Sequence, residues 1–240
     1  MRKENITESS VYGKTRIISH ITIKSEKYKR EKNEMNKKIV CFGDSNTWGF
    51  TPVTGERYEK GVRWTSLLAE YTGYEVIEEG LNGRTSIFKD PLLPYGTGID
   101  YIEACVLSHS PFDLLIVMLG TNDMKYYVCN CPDASAKGVA MICNKAKAVN
   151  PNIKVLMVSP IVMGDFRPQL GEMLQINETS LKNTAKFSKF FKEQAELNGF
   201  YFLDAAKYAS PSREDAVHMT REGHAALAKA ISEKVKEILS

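Results

Sequence analysis

Four short segments of this 240-residue chain carry side chains that could together move an acyl group. They are Gly43-Asp44-Ser45-Asn46, Asn82-Gly83-Arg84, Gly120-Thr121-Asn122-Asp123 and Asp215-Ala216-Val217-His218. Acyl transfer needs a hydroxyl nucleophile, an imidazole to take its proton and a carboxylate to hold that imidazole in the right tautomer. It also needs N–H donors around the developing oxyanion. The four segments can supply every part if the fold brings them to one place. None is decisive alone. In the first, Asp44 and Ser45 could equally cap a helix, as such residues often do, and on that stretch by itself the two readings are level.

The elements around these segments say how they would be positioned. Lys38-Ile-Val-Cys-Phe-Gly43 is a short apolar run ending at a glycine, which reads as a buried strand with a tight turn after it. Residues 75–79, 113–119, 154–158 and 200–203 read as four further strands, with 113–119 apolar throughout, as a strand covered on both faces should be. Between them, helices are expected at 62–71, 99–108, 133–149 and 178–198, with a last one starting after Thr220, an N-cap residue. Residues 80–98 form a long Gly- and Pro-bearing loop, and 160–176 an irregular stretch with Met163, Phe166, Pro168 and Met173. Strands alternating with helices predict a three-layer α/β/α sandwich on a five-stranded parallel sheet of flavodoxin-like type. Right-handed crossovers then gather the strand-exit loops at one edge, where ligands of such sheets bind and backbone N–H groups can hold an anion.

Composition narrows the rest. With 43% hydrophobic residues, 240 residues suffice for one well-buried domain. Residues 1–34 hold nine Lys/Arg against five Asp/Glu, so of a net charge of +3 the remainder carries about −1. A near-neutral body argues against a nucleic-acid partner. The 1–34 stretch reads as a flexible polar extension, and 35–240 as the domain. The five cysteines (41, 105, 129, 131, 143) show no repeated paired spacing and no zinc pattern, so no metal is expected and reduced thiols fit best. There is no membrane-length apolar run and no signal-peptide core, and the Asn5 and Asn177 sequons read as chance, which points to the cytoplasm.

In the order and placement of these segments, the chain from about residue 36 onward resembles the SGNH hydrolases, the GDSL esterase/lipase family. Gly43-Asp44-Ser45 is similar to the family's nucleophile block, with Asn46 where Leu is more usual. Gly83 stands at the second-block glycine, Gly120-Thr-Asn122-Asp123 at the third block and Asp215-x-x-His218 at the last. Cys-Phe-Gly-Asp-Ser-x-Thr-Trp-Gly, Val62-Arg-Trp64, Val76-Ile-Glu-Glu-Gly-Leu81 and Met118-Leu-Gly-Thr-Asn-Asp123 further resemble the arylesterase/acyltransferase branch, which acts on small acyl esters.

The resemblance implies Ser45 as nucleophile, His218 as base and Asp215 as its orienting acid. It implies an oxyanion hole from the N–H groups of Ser45 and Gly83 and the Asn122 side-chain amide. Asp44, Trp48 and Asn82 are expected to contact substrate, while Asp44 and Asp123 also read as hydrogen-bonding braces for their turns. Asn46 is expected to affect local packing more than mechanism. His224 would face another way inside its helix, and His20 and His109 lack a carboxylate in a useful frame. Ser86-x-x-Lys89 lacks its companion motifs and reads as coincidence, and there is no Gly-x-Ser-x-Gly of the α/β-hydrolases. The expected activity is a serine esterase acting on short-acyl, acetyl-type esters, without cofactor, with water or another alcohol as acyl acceptor. A carbohydrate O-acetylesterase, with Trp48, Trp64, Tyr95 and Tyr101 as sugar-stacking faces, is the alternative, and a non-catalytic flavodoxin-like binding protein the distant one. The expected partner is a small-molecule ester, with homo-oligomerisation left open.

Overall fold

A computed structural model describes residues 37–165 and 168–240. The expected extension at 1–34, together with His20 and the Asn5 sequon, lies outside the described residues. Five parallel strands, β1 (Lys38–Gly43), β2 (Glu75–Gly80), β3 (Leu114–Met118), β4 (Lys154–Ser159) and β5 (Tyr201–Asp204), pair in the order β2-β1-β3-β4-β5. The strand order reverses between β1 and β3. Loops leaving those two strands diverge there and open a crevice at the carboxyl edge.

Alternation along the strands divides the core in two. Val40, Phe42, Leu115, Val117, Val155 and Met157 face one side, while Ile39, Cys41, Leu114, Ile116, Leu156 and Val158 face the other. The first set is covered by α3 (Gly98–His109), α4 (Pro132–Val149) and α7 (Phe187–Asn198), through Ile102, Val139, Ile142 and Phe191. The second is covered by α2 (Trp64–Thr72) and α8 (Arg221–Leu239), through Trp64, Leu68, Leu227, Ile231 and Val235. This is the three-layer sandwich the alternation predicts. Among the described residues no helix is long and apolar enough to cross a membrane.

Besides one-residue shifts at several element ends, three differences from the sequence pattern stand out. The helix expected to start at residue 62 begins at Trp64, because the Arg63 guanidinium makes paired bonds of 3.0 and 2.8 Å to Glu78 on β2. The helix expected over 178–198 is two, α6 (Glu178–Thr184) and α7, since polar groups at the junction bond elsewhere. At the junction Lys186 N reaches back only three residues, to Asn183 O at 3.0 Å, while the Thr184 hydroxyl donates to Leu181 O and accepts from Met163 N and the Asn183 amide donates to Asn130 O. The stretch 160–176 is not wholly irregular: it holds α5 (Pro168–Leu174). Asn177, the second sequon, is the N-cap of α6 in a capping box with Ser180.

Candidate active site

β1 ends at Gly43, where a Cβ would lie 2.7 Å from the carbonyl oxygen of Met118, so only glycine lets β1 and β3 stay adjacent at the turn. Asp44 follows as the N-cap of a single helical turn, α1 (Ser45–Trp48), its Oδ1 accepting from Asn46 N at 3.0 Å. Capping and presenting the hydroxyl are therefore not rival readings. The cap at Asp44 sets the turn on which Ser45 is carried.

The last segment meets this turn from the other end of the chain. Ser45 Oγ stands 2.8 Å from His218 Nε2, and His218 Nδ1 stands 2.6 Å from Asp215 Oδ2. Asp215 Oδ1 accepts from the N–H groups of Val217 and His218 at 3.0 and 2.9 Å. Both bonds require a tight turn at Ala216, whose φ of +61° lies in the left-handed region. A non-glycine residue there costs about 1–2 kcal/mol, and local strain of this kind gathers at functional sites. Burial by itself would raise the Asp215 carboxyl. The hydrogen bond and electrostatic attraction from His218 and the two N–H donors outweigh it and hold the group below the ordinary carboxylate range. As an anion Asp215 can only accept, so Nδ1 carries the proton and Nε2 is left to accept from the Ser45 hydroxyl. The arrangement can therefore pull a proton off Ser45. Phe50, which the pattern did not single out, covers the imidazole with ring centroids 4.2 Å apart.

The donors expected around an oxyanion border the same cleft. Ser45, Gly83 and Asn122 all line it. Gly83 has φ +78°, a left-handed conformation that favours glycine, whereas a Cβ there would meet only the end of the Leu93 side chain. Asn122 donates one amide N–H to Arg84 O at 3.1 Å, which fixes the plane of the group while its second N–H remains a donor. Arg84 itself, whose role the pattern did not reveal, donates to Gly43 O at 3.0 Å and to Glu79 O, and lies 4.2 Å over the Phe42 ring. It ties the second segment to the end of β1.

Of the residues expected to touch substrate, Asn82 lines the cleft, while Asp44 and Trp48 stand elsewhere. Asp44 is turned into the protein with 1% of its surface exposed, and burial pushes its carboxyl up to about 6. Trp48 packs beside Phe50 and under the Arg57 guanidinium, away from the opening. Asp123 is a buried brace: it accepts from Ser86 N at 2.8 Å and from the hydroxyls of Ser86 and Ser135 at 2.6 Å each, and burial raises it to about 6. Ser86 is thus held by Asp123.

The cleft encloses about 200 Å³. Its apolar wall comes from Met163, Met173, Leu174, Ile176 and Val217, hence chiefly from the 160–176 stretch. The 80–98 loop contributes only Asn82 and Gly83 to the lining: Arg84, Thr85, Ser86, Asp90 and Thr97 are buried in the protein, while Leu92 and Tyr95 face solvent away from the lining. Lys125 at the rim bonds Asp90 at 2.7 Å, and the Tyr127 hydroxyl joins Asp90 to Gln175.

The remaining histidines are placed differently. His224 is fully buried in α8, accepts from Trp64 N at 3.3 Å, and burial lowers its pKa to about 3, so it is a neutral core side chain. His109 does have a carboxylate partner, contrary to expectation: its Nε2 is 2.6 Å from Glu79 Oε1, a pairing across α3 and β2 that no sequence spacing reveals. With Cys105 these two gather ligand-type atoms within 4.8 Å, but the Arg84 guanidinium acts on both Glu79 and Cys105, and its charge opposes a cation there. Cys41, Cys105 and Cys143 are buried core thiols.

Comparison with known proteins agrees with this fold. A family model described as GDSL-like lipase/acylhydrolase matches residues 41–226. An aryl esterase from M. smegmatis in inhibitor-bound form is 34% identical, with a TM-score of 0.80 over 84% of this chain and 99% of that one. A carbohydrate acetylesterase from Sinorhizobium meliloti is 31% identical, with a TM-score of 0.78 over 84% and 99%. A second carbohydrate acetylesterase family member from S. meliloti is 26% identical, with a TM-score of 0.80 over 85% and 99%. No curated protein matches.

Proposed function

The chain belongs to the GDSL-like lipase/acylhydrolase family and is a carboxylic ester hydrolase, and from that premise we propose that it cleaves small, short-acyl esters through an acyl-enzyme on Ser45. The observation that carries this reading is the unbroken chain Asp215–His218–Ser45, at 2.6 and 2.8 Å, opening on a cleft of about 200 Å³. His218 takes the Ser45 proton as Oγ attacks the ester carbonyl. The negative charge forming on the carbonyl oxygen is received by the N–H groups of Ser45 and Gly83 and the Asn122 amide. His218 then protonates the leaving alcohol, and in the second half-reaction it activates the water that releases the acid. An alcohol arriving in place of water would give acyl transfer. Neither step calls on a cofactor.

Asn122→Ala is expected to lower kcat about 10²- to 10³-fold with little change in KM, because its amide gains most when the oxyanion forms. Steady-state kinetics on an aryl acetate check this. Equal losses in kcat and in substrate affinity would remove Asn122 from the hole.

The size and apolar lining of the cleft set the acyl preference. Across p-nitrophenyl esters from acetate to decanoate, kcat/KM is expected to peak at the short end and to drop about tenfold or more toward the long end. A flat or rising profile would overturn the short-acyl reading. The 31% identity to a carbohydrate acetylesterase supports a second reading, deacetylation of sugars. The aromatic residues that would stack a sugar argue the other way: Trp64 is core, Tyr101 is stacked on Phe42, and neither Tyr95 nor Trp48 lines the cleft. Faster turnover of acetylated xylan than of aryl acetate would reverse this ranking. Buried thiols used as core side chains support a cytoplasmic site of action.

A further inference from the structure

Asn46, the position at which the nucleophile block departs from its usual Leu, makes two hydrogen bonds across the site. Its Nδ2 donates to Val217 O at 3.2 Å, and its Oδ1 accepts from Met219 N at 3.0 Å. The two peptide groups it grips lie on either side of His218. Asn46 is 3% exposed, so water does not compete for either bond.

The backbone of the base-bearing segment can be followed group by group. Val217 N and His218 N are held by Asp215, and His218 O accepts from Ser212 N at 2.7 Å. The two groups left, Val217 O and Met219 N, are held by Asn46. Asp215 and Ser212 belong to the same loop as His218 and make it rigid within itself, and Gly164 N, which donates to Ala216 O at 2.8 Å, ties it to the exit of β4 and not to Ser45. Asn46 joins that loop to the turn carrying Ser45.

We propose that Asn46 is a positioning residue that fastens the His218 loop to the nucleophile turn, so that hydroxyl and imidazole are held in register as one body. The inference rests on the roles given above to Ser45 and His218. A Leu at this position could fill the space but would leave a buried C=O and a buried N–H without partners. The loop would then settle to its own optimum, and a misplacement of about 1 Å between reacting groups costs on the order of 10²-fold in rate.

The test compares wild type with Asn46→Leu and Asn46→Asp on p-nitrophenyl acetate, well below the melting temperature of each. Hydrogen exchange at the Met219 amide is followed alongside that at Phe42 in β1. Asn46→Leu is expected to lose about 10- to 100-fold in kcat with KM within about threefold, because most of the cleft wall lies on 160–176 and keeps its place while the proton transfer is misaligned. Protection at Met219 should fall while that at Phe42 persists. Asn46→Asp keeps the acceptor for Met219 N–H but sets a buried carboxylate oxygen against Val217 O, so its kcat should also fall by about tenfold or more, and it serves alone if the Leu variant does not fold. A kcat within twofold of wild type in a folded variant, with Met219 still protected, would overturn the proposal. So would equal loss of protection at Met219 and Phe42, which marks a merely structural role. Failure of the underlying reading shows separately, as a wild-type activity that survives Ser45→Ala.

Discussion

Ser45→Ala is expected to lower turnover by about 10⁶-fold and to leave the folded protein intact. The size of the loss follows from how little else at the cleft can replace the hydroxyl. Without Oγ no acyl-enzyme forms, and His218 has only water to activate, at a distance set for a serine. What remains is the stabilisation of the oxyanion by Gly83 and Asn122, which by itself sustains about 10³- to 10⁴-fold over water. The fold has little reason to respond, since the substitution breaks the 2.8 Å bond to His218 and removes an atom that lies at a cleft. Release of p-nitrophenol under single-turnover conditions, with the melting temperature measured in parallel, tests both halves. Activity above about a thousandth of wild type would mean that the nucleophile lies elsewhere.

The second large effect is expected at Asp215→Asn, about 10⁴-fold in kcat. Its cause is a tautomer and not a lost charge alone. Oδ1 of Asp215 is claimed by two backbone N–H donors at 3.0 and 2.9 Å, so an asparagine must set its carbonyl oxygen there. Its NH₂ then faces His218 Nδ1 at the place of Oδ2 and donates to it. The ring proton is driven to Nε2, which can no longer accept from Ser45. The same substitution has a signature in acid. A carboxyl held low in the folded state contributes stability that is present above its unfolded pKa and lost as pH falls through the folded value. Wild type should therefore lose stability over that acid range, and Asp215→Asn should lose less of it. Denaturant titrations at neutral pH and in the acid limb, set beside kcat at neutral pH, check the two together. A variant with near-normal kcat, or with the wild-type acid dependence, would count against Asp215 as the ionised partner of His218.

Much of this site could be read along the chain because its parts are local signals. A run such as Ile39–Phe42 ending at a glycine marks a strand and its exit, and Asp215-x-x-His218 brings carboxylate and imidazole together within one turn. The features missed are those that depend on residues far apart in sequence. Asn46 reaches residues 217 and 219, and Glu79 meets His109, only because β1, β2 and the last loop converge. Trp48 reads as a substrate-binding residue by its nearness to Ser45, yet the short turn of α1 points it toward Arg57. The break between α6 and α7 is invisible in the pattern because Asn183 and Thr184 are acceptable inside a helix until Asn130 and Met163 offer them other partners. The helix α5 is equally hidden because 160–176 carries no clear helical period.

The wall of the cleft and the groups that line up on Ser45 come from different parts of the chain. The proposed nucleophile, base and oxyanion donors sit on loops anchored to the sheet or to one another, whereas Met173, Leu174 and Ile176 belong to a segment joined to the rim through Gln175, by Tyr126 N at 3.0 Å and by the Tyr127 hydroxyl. The width of the cleft can therefore be altered at an exposed wall residue such as Met173 without moving the groups that line up on Ser45.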